Sequence, residues 1–248
     1  MPTIEPKLLV YGSFSPQDIL VSVSPSNRKI EPAIEKQIEN LWQSKLIFAK
    51  EQGKVCYNGL SYRLNSFTRA GEQIIVDLAE IEYKVRDGLI SIPEYFSLSD
   101  EHFCKGCHTG ATVKTSDNRY LMVELSGKSM SVNKLELMGG ILELPPPVHS
   151  GNDIFSSLYR EMEEEGCIEK DDIVSAHLRM VYLNHRTLVG FHFEVTIKPT
   201  ADELFVRFAH KHADQDVRSL LHFSRDEYLK ILHEHSPGKK LVAEYTSI

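Results

Sequence analysis

The sequence has few cysteines, a single tryptophan and no long apolar run. Four cysteines occur in 248 residues, and only Cys104 and Cys107 lie close together. A structural zinc site wants a second ligand pair at suitable spacing. Cys56 and Cys167 are isolated, and His102 and His108 crowd the one pair present, so zinc is not expected. Residues 104–108 also match the haem-attachment spacing CxxCH, which without an export signal is an accidental match. No stretch of about 18 apolar residues occurs, so no membrane span is expected. The opening MPTIEPKLLVYGSF lacks the basic region, apolar core and small-residue cleavage site of a signal peptide. The expectation is a cytoplasmic protein, in which structural disulfides do not form. A basic excess is missing too. The net charge is −7 and the pI about 5.9, which excludes a nucleic-acid partner of the usual basic kind. Acidity fits a protein that handles small molecules or holds divalent cations.

What remains is ordinary globular composition, 42% hydrophobic and 25% charged. The length allows one large domain or two unequal ones. Residues 7–11 and 19–23 read as strands with a turn between. Residues 31–52 read as an amphipathic helix, with Pro32 in its first turn and Ile34, Ile38, Leu41, Leu46 and Ala49 at helical spacing. Trp42 sits on its apolar side, and Gly53 ends it. Strands follow at 61–67 and 73–83, and residues 84–103 read as irregular or weakly helical, with Pro93 as a breaker. Beyond 108 the pattern gives a hairpin around Asp117-Asn118 and a strand at 134–140 running into glycines. A loop over 145–152, a helix over 153–165 and strands at 174–182 and 188–197 come next. Short strands are expected at 203–209 and 219–223. A closing helix spans 224–235, with Ser224 as N-cap and Glu227 three residues on.

The segment that carries chemistry is residues 139–168, GGILELPPPVHSGNDIFSSLYREMEEEGCI. Glu161, Glu164 and Glu165 are spaced i, i+3, i+4 and share one helix face. Three carboxylates on one face repel unless a cation sits between them, and Mg²⁺, a hard ion that takes oxygen ligands and phosphates, suits that place. Mn²⁺ would serve as well. The opposite face, Ile154, Leu158 and Met162, is apolar and anchors the helix on a sheet. Arg160 can hold a carboxylate in bidentate fashion and fix its direction. An acidic helix face is more often simply solvated. The Gly-Gly turn, the length between and the Arg-Glu pair argue otherwise.

This segment resembles the Nudix box, G-x5-E-x7-R-E-U-x-E-E-x-G-U, where U is aliphatic. Arg160, Glu161, Met162, Glu164, Glu165 and Ile168 match its second half, and Gly140 its first glycine. Three positions depart from it. Asn152 stands where the first Glu belongs, with Asp153 beside it. Cys167 stands at the late Gly, next to Gly166. The loop after Gly140 holds eleven residues where five are usual, and begins with Glu143 before three prolines. The resemblance implies a Nudix-type α/β/α sandwich with a mixed sheet over residues 101–248, preceded by a small α+β N-terminal domain over 1–100. It implies a metal-dependent hydrolase of phosphoanhydride bonds. Glu161, Glu164 and Glu165 would be metal ligands, and Glu164 or Glu165, with Arg160, would be catalytic.

The first hundred residues resemble those of a eukaryotic branch, the animal UDP-glucose hydrolase and its plant relatives. Ile38, Trp42, Leu46, Gly59, Tyr62-Arg63-Leu64 and the segment from Gln73 through Tyr83-Lys84 to Gly88 carry that resemblance. It implies a nucleoside-diphosphate-sugar substrate cleaved to a nucleoside monophosphate and a sugar 1-phosphate, by a monomer or homodimer. Gly140, Glu143, Asn184, Arg186 and Tyr83 are the candidate substrate contacts. Asp214, Asp216 or Glu203 would supply a later-loop carboxylate. The Nudix box does not choose the substrate, because specificity lies in loops outside it. ADP-ribose, a dinucleotide or a nucleoside triphosphate is the nearest rival substrate. A nucleotide-binding module without catalysis is the rival from another class.

Overall fold

A computed structural model of the chain describes residues 3–53, 56–126, 132–143, 150–210, 217–235 and 237–246. In chain order the elements are β1 (Lys7–Phe14), β2 (Ile19–Val23), α1 (Pro32–Glu51), β3 (Leu60–Ala70), β4 (Gln73–Glu82), α2 (Tyr83–Leu89), β5 (Cys107–Lys114), β6 (Tyr120–Ser126) and β7 (Val132–Glu136). Then come α3 (Gly151–Gly166), β8 (Ile173–Leu183), β9 (Val189–Ile197), α4 (Ala201–His210), β10 (Val217–Phe223), α5 (Arg225–His235) and α6 (Pro237–Tyr245). The larger sheet runs β1-β8-β9-β5-β6-β10, with β7 also on β6. The β5–β9 pair is parallel and the other pairs of this sheet are antiparallel, so the sheet is mixed. A smaller sheet, β2-β4-β3, joins parallel and antiparallel pairs. The fold is mixed α/β, as the sequence leads one to expect.

Strand alternation sorts the core into two layers. Leu121, Val123, Leu178 and Val181 point to the side where Ile154, Phe155, Leu158 and Met162 of α3 are buried. Their neighbours Tyr120, Met122, Met180 and Tyr182 point to the other side, against Tyr228 and Leu232 of α5 and Val242 of α6. A strand period of two places successive side chains on opposite faces, and the irregularity between Leu178 and Met180 shifts the phase in β8. Fully burying one such aliphatic or aromatic side chain contributes about 1.5–3 kcal/mol, so the apolar side of α3 anchors it firmly on the sheet.

One topological detail positions the site. β5 and β6 pair only at their hairpin end, Val113 with Leu121 and Lys114 with Tyr120. Farther on they part, and the chain from 132 to 142 enters the gap. Leu135 and Glu136 pair with β6, then Met138 and Ile141 bridge to Ala111 and His108 of β5. The Gly139-Gly140 turn therefore lies inside the split of the sheet.

Three expectations change. The strands at 7 and 19 form but do not pair with each other: β1 lies beside β8, and β2 beside β4. A short turn closed by Asp18 on the Ser15 N–H and hydroxyl redirects the chain between them. Residues 203–209 are helical, not extended. Their Leu, Phe and Val content suggests a strand, but Thr200 and Glu203 form a reciprocal cap that starts α4, and Leu204 is buried. The helix capped by Ser224 and Glu227 forms as expected, yet α6 follows it, so it does not close the chain. Trp42 is buried, as expected. Leu41, by contrast, is exposed, and so are Ile47 and Phe48 of the same helix.

Beneath α5, His192 is 1% exposed. Its Nε2 lies 3.0 Å from the Thr112 hydroxyl, which lies 2.8 Å from the Tyr228 hydroxyl. Burial pulls the His192 pKa down to about 3 from the usual 6.5. The unfolded chain then binds the proton first, so stability falls as the pH drops from about 6.5 towards 3. We expect the urea midpoint to decline over that range, and less steeply in His192→Leu. Parallel pH profiles for the two proteins would contradict this.

Candidate active site

The site starts with how α3 begins and ends. Ser150 is its N-cap, and Asp153 returns a carboxylate oxygen to the Ser150 N–H at 3.1 Å. Asp153 is thereby committed to the cap, while Asn152 beside it is exposed. At the other end Cys167 takes φ +54°, ψ +33°. That left-handed position suits glycine, which explains why the box pattern has one there. A Cβ on Gly166 just before it would lie 2.8 Å from the Met138 methyl, which would have to move aside.

Two of the three glutamates reach the glycine turn. Glu165 accepts a 2.9 Å hydrogen bond from the Gly139 N–H. The Glu161 carboxylate occupies the space over Gly140, within 2.5–2.7 Å of where a Cβ would stand. Both side chains are half-buried, and Glu164 is exposed on the rim. Arg160 stands among the carboxylates. It donates to Glu161 at 2.9 Å and lies 3.4 Å from Glu143 and 3.5 Å from Glu164. The turn itself is fixed from β5: Thr109 N–H donates to the Gly140 carbonyl at 2.9 Å. Gly139 has φ +139°, and a Cβ there would lie 2.4 Å from the Thr109 carbonyl oxygen.

Gly140, Glu143, Arg160, Glu161, Glu164 and Glu165 are thus brought together. Asn184 and Arg186 sit in the turn between β8 and β9. Asn184 Oδ1 accepts from the Arg186 and Leu188 N–H groups, so its side chain builds that turn. Arg186 is exposed. The turn lies at the same end of the sheet as Glu143, since Cys107 pairs with Val189 and accepts from the Leu142 N–H. Tyr83 packs edge-on against Trp42 and under the Lys45 ammonium, between α1 and α2. Glu203 caps α4 through Thr200. Asp214 and Asp216 lie outside the described residues. Two contributors went unnamed in the sequence reading. Gly139 is visible there as half of the Gly-Gly pair. Thr109 carries no signal, because thirty residues separate it from the turn it holds.

No three Asp, Glu, His or Cys side chains form a ready metal cage among the described residues. Mg²⁺ does not need one, since it is commonly bound by one or two carboxylates with waters and phosphates completing the octahedron. Two carboxylates converging on a side-chain-free turn, with Glu164 at the rim, fit that ion. Cys104 and Cys107 are free and buried.

No family model matches the sequence, and no curated protein matches it. Solved structures do. A Deinococcus radiodurans protein is 17% identical, with a TM-score of 0.39 over 56% of this chain and 79% of its own. The MutT protein of Methanosarcina mazei is 15% identical, with a TM-score of 0.36 over 56% and 88%. A mutant of the Bacillus subtilis pyrophosphohydrolase BsRppH is 14% identical, with a TM-score of 0.33 over 68% and 77%. No helix among the described residues is long and apolar enough to cross a membrane.

The turn's geometry makes a testable demand. Gly139→Ala should lower the urea-unfolding free energy by roughly 2 kcal/mol or more, because a Cβ meets backbone and the positive φ is strained. An unchanged midpoint would mean that the turn is not as tightly held as described.

Proposed function

We propose that this protein is a Mg²⁺-dependent Nudix hydrolase that cleaves the diphosphate of a nucleoside-diphosphate sugar in the cytoplasm, giving a nucleoside monophosphate and a sugar 1-phosphate. The observation that carries this reading is the convergence of Glu161 and Glu165 on the Gly139-Gly140 turn, with Arg160 and Glu164 beside them. Residues 101–248 are the hydrolase portion in this reading. Residues 1–100, whose β1 joins the larger sheet beside β8, would supply the N-terminal α+β part that favours one substrate over another.

Glu161, Glu164 and Glu165 would hold the ion, which when bound polarises the phosphoanhydride and lowers the pKa of a bound water. The chain's own residues set the geometry. The Gly139 N–H fixes the direction of Glu165. Arg160 fixes Glu161 and offsets the mutual repulsion of Glu143, Glu161 and Glu164. Glu164, exposed on the rim, or Glu165 accepts the proton of the attacking water. In this reading Asn184 and Arg186, at the same end of the sheet, would meet the sugar or phosphates, and Tyr83 would meet the base.

The test is incubation with Mg²⁺ and a panel of UDP-, GDP- and ADP-sugars, ADP-ribose, NADH and nucleoside triphosphates. We expect UMP from UDP-glucose, and a loss of about 10²–10⁴-fold in kcat for Glu165→Gln. Cleavage of another panel member alone would keep the chemistry and discard the sugar assignment. No cleavage of any member, with a nucleotide still raising Tm, would replace the enzyme by a binding module.

A further inference from the structure

A second cluster lies outside the carboxylate site, around the turn from Cys104 to Cys107. Arg63 of β3 is 2% exposed. Its guanidinium donates to the carbonyls of Cys104 and Phe103 at 3.1 and 3.4 Å. It also donates to Asn27 and Asn65 Oδ1 and to the Ser26 hydroxyl. Every one of these acceptors is neutral. Arg28 lies near enough to repel it, and Arg28 is itself paired with Glu35.

Arg86, in the last turn of α2, lies flat across Gly106. A Cβ on Gly106 would come within 3.0 Å of Arg86 Cδ and 3.2 Å of its Nε. Arg86 Nε is buried and has no hydrogen-bond partner among the described residues. The thiols of Cys104 and Cys107 do not supply the missing negative charge, because burial pushes both up and keeps them protonated. The two guanidinium charges also argue against a cation at this cysteine pair.

A buried cation without a counter-anion is costly. A guanidinium presents a planar fork that suits phosphate oxygens. The turn is placed for such a ligand. The Val189 N–H donates to the Gly106 carbonyl, and the Leu142 N–H to the Cys107 carbonyl. Three residues beyond Gly106, roughly 10 Å at strand rise, Thr109 holds Gly140. Against a chain of net charge −7, this is a local reversal of sign at the same end of the sheet as Glu143.

We propose that Arg86, backed by the field of Arg63 and by the Cys104–Cys107 turn, is an anion subsite that takes a phosphoryl group of the substrate. The identity of the anion rests on the hydrolase reading above; the existence of the subsite does not. Gly106 is the residue that lets Arg86 lie across the turn.

The test uses the full chain without metal and inorganic phosphate as probe, read by calorimetry and by Tm against ionic-strength-matched chloride. Phosphate should bind the wild type, and Arg86→Gln should weaken it at least tenfold. Gly106→Ala, which shifts Arg86 by a few tenths of an ångström, should weaken it less than Arg86→Gln does. In turnover with the cleaved member of the panel, Arg86→Gln should raise KM at least tenfold with kcat little changed. Equal phosphate binding by wild type and Arg86→Gln would overturn the subsite. Arg86-dependent phosphate binding with KM unchanged would overturn the substrate assignment and leave a site for free phosphate. Arg86-dependent binding without any turnover would support the subsite and sink the hydrolase reading instead. Should Arg86→Gln fail to fold, Arg86→Lys keeps the charge, removes the fork, and should still bind phosphate more weakly than the wild type.

Discussion

The hydrogen bond from the Gly139 N–H to Glu165 joins the two halves of the candidate site, and the surrounding architecture serves it. The gap between β5 and β6 admits the 132–142 segment, Thr109 fixes the glycine turn, and the buried side of α3 sets how far its carboxylates reach. If the turn carried side chains, Glu161 would have no room over Gly140. If the apolar side of α3 were rotated, Glu165 would miss Gly139. Packing fixes the position, and the absence of side chains on the turn leaves the carboxylates their space.

Charge is arranged in two opposed zones. On α3 the carboxylates outnumber the cations, and Arg160 alone spans Glu143, Glu161 and Glu164. Around the Cys104–Cys107 turn the Arg63 guanidinium has neutral acceptors, and the Arg86 Nε has none among the described residues. Hydrogen bonds to neutral oxygens satisfy the geometry of Arg63 without cancelling its charge. A ligand that needs a divalent cation at one end and an anion receptor at the other would complement both.

Much of this is legible in the sequence where a local rule decides. The helix around Glu161, the Pro32 start of α1, the Ser224 cap and the hairpin at Asn118 depend on residues within a few positions of each other, and they form as read. Leu204, Phe205 and Phe208 show the limit of composition, because the Thr200–Glu203 cap outweighs their preference for strands. Pairing is less legible. Nothing local says that β1 leaves β2 for β8, or that residue 109 holds residue 140, since those contacts are set by the whole sheet. The departures at Asn152 and Cys167 are readable as departures. That Asp153 belongs to the cap and that Cys167 has a left-handed backbone requires coordinates.

In the proposed function Glu161 and Glu165, converging on a glycine turn, would hold a divalent cation. The most direct measurement is a Mn²⁺ titration of the nucleotide-free protein, followed by electron paramagnetic resonance, in the wild type, Glu161→Gln and Glu164→Gln. The account predicts bound Mn²⁺ in the wild type that Mg²⁺ displaces, with affinity lost most severely in Glu161→Gln and less in the rim variant. Equal Mn²⁺ binding by all three proteins, or none by the wild type, would contradict it.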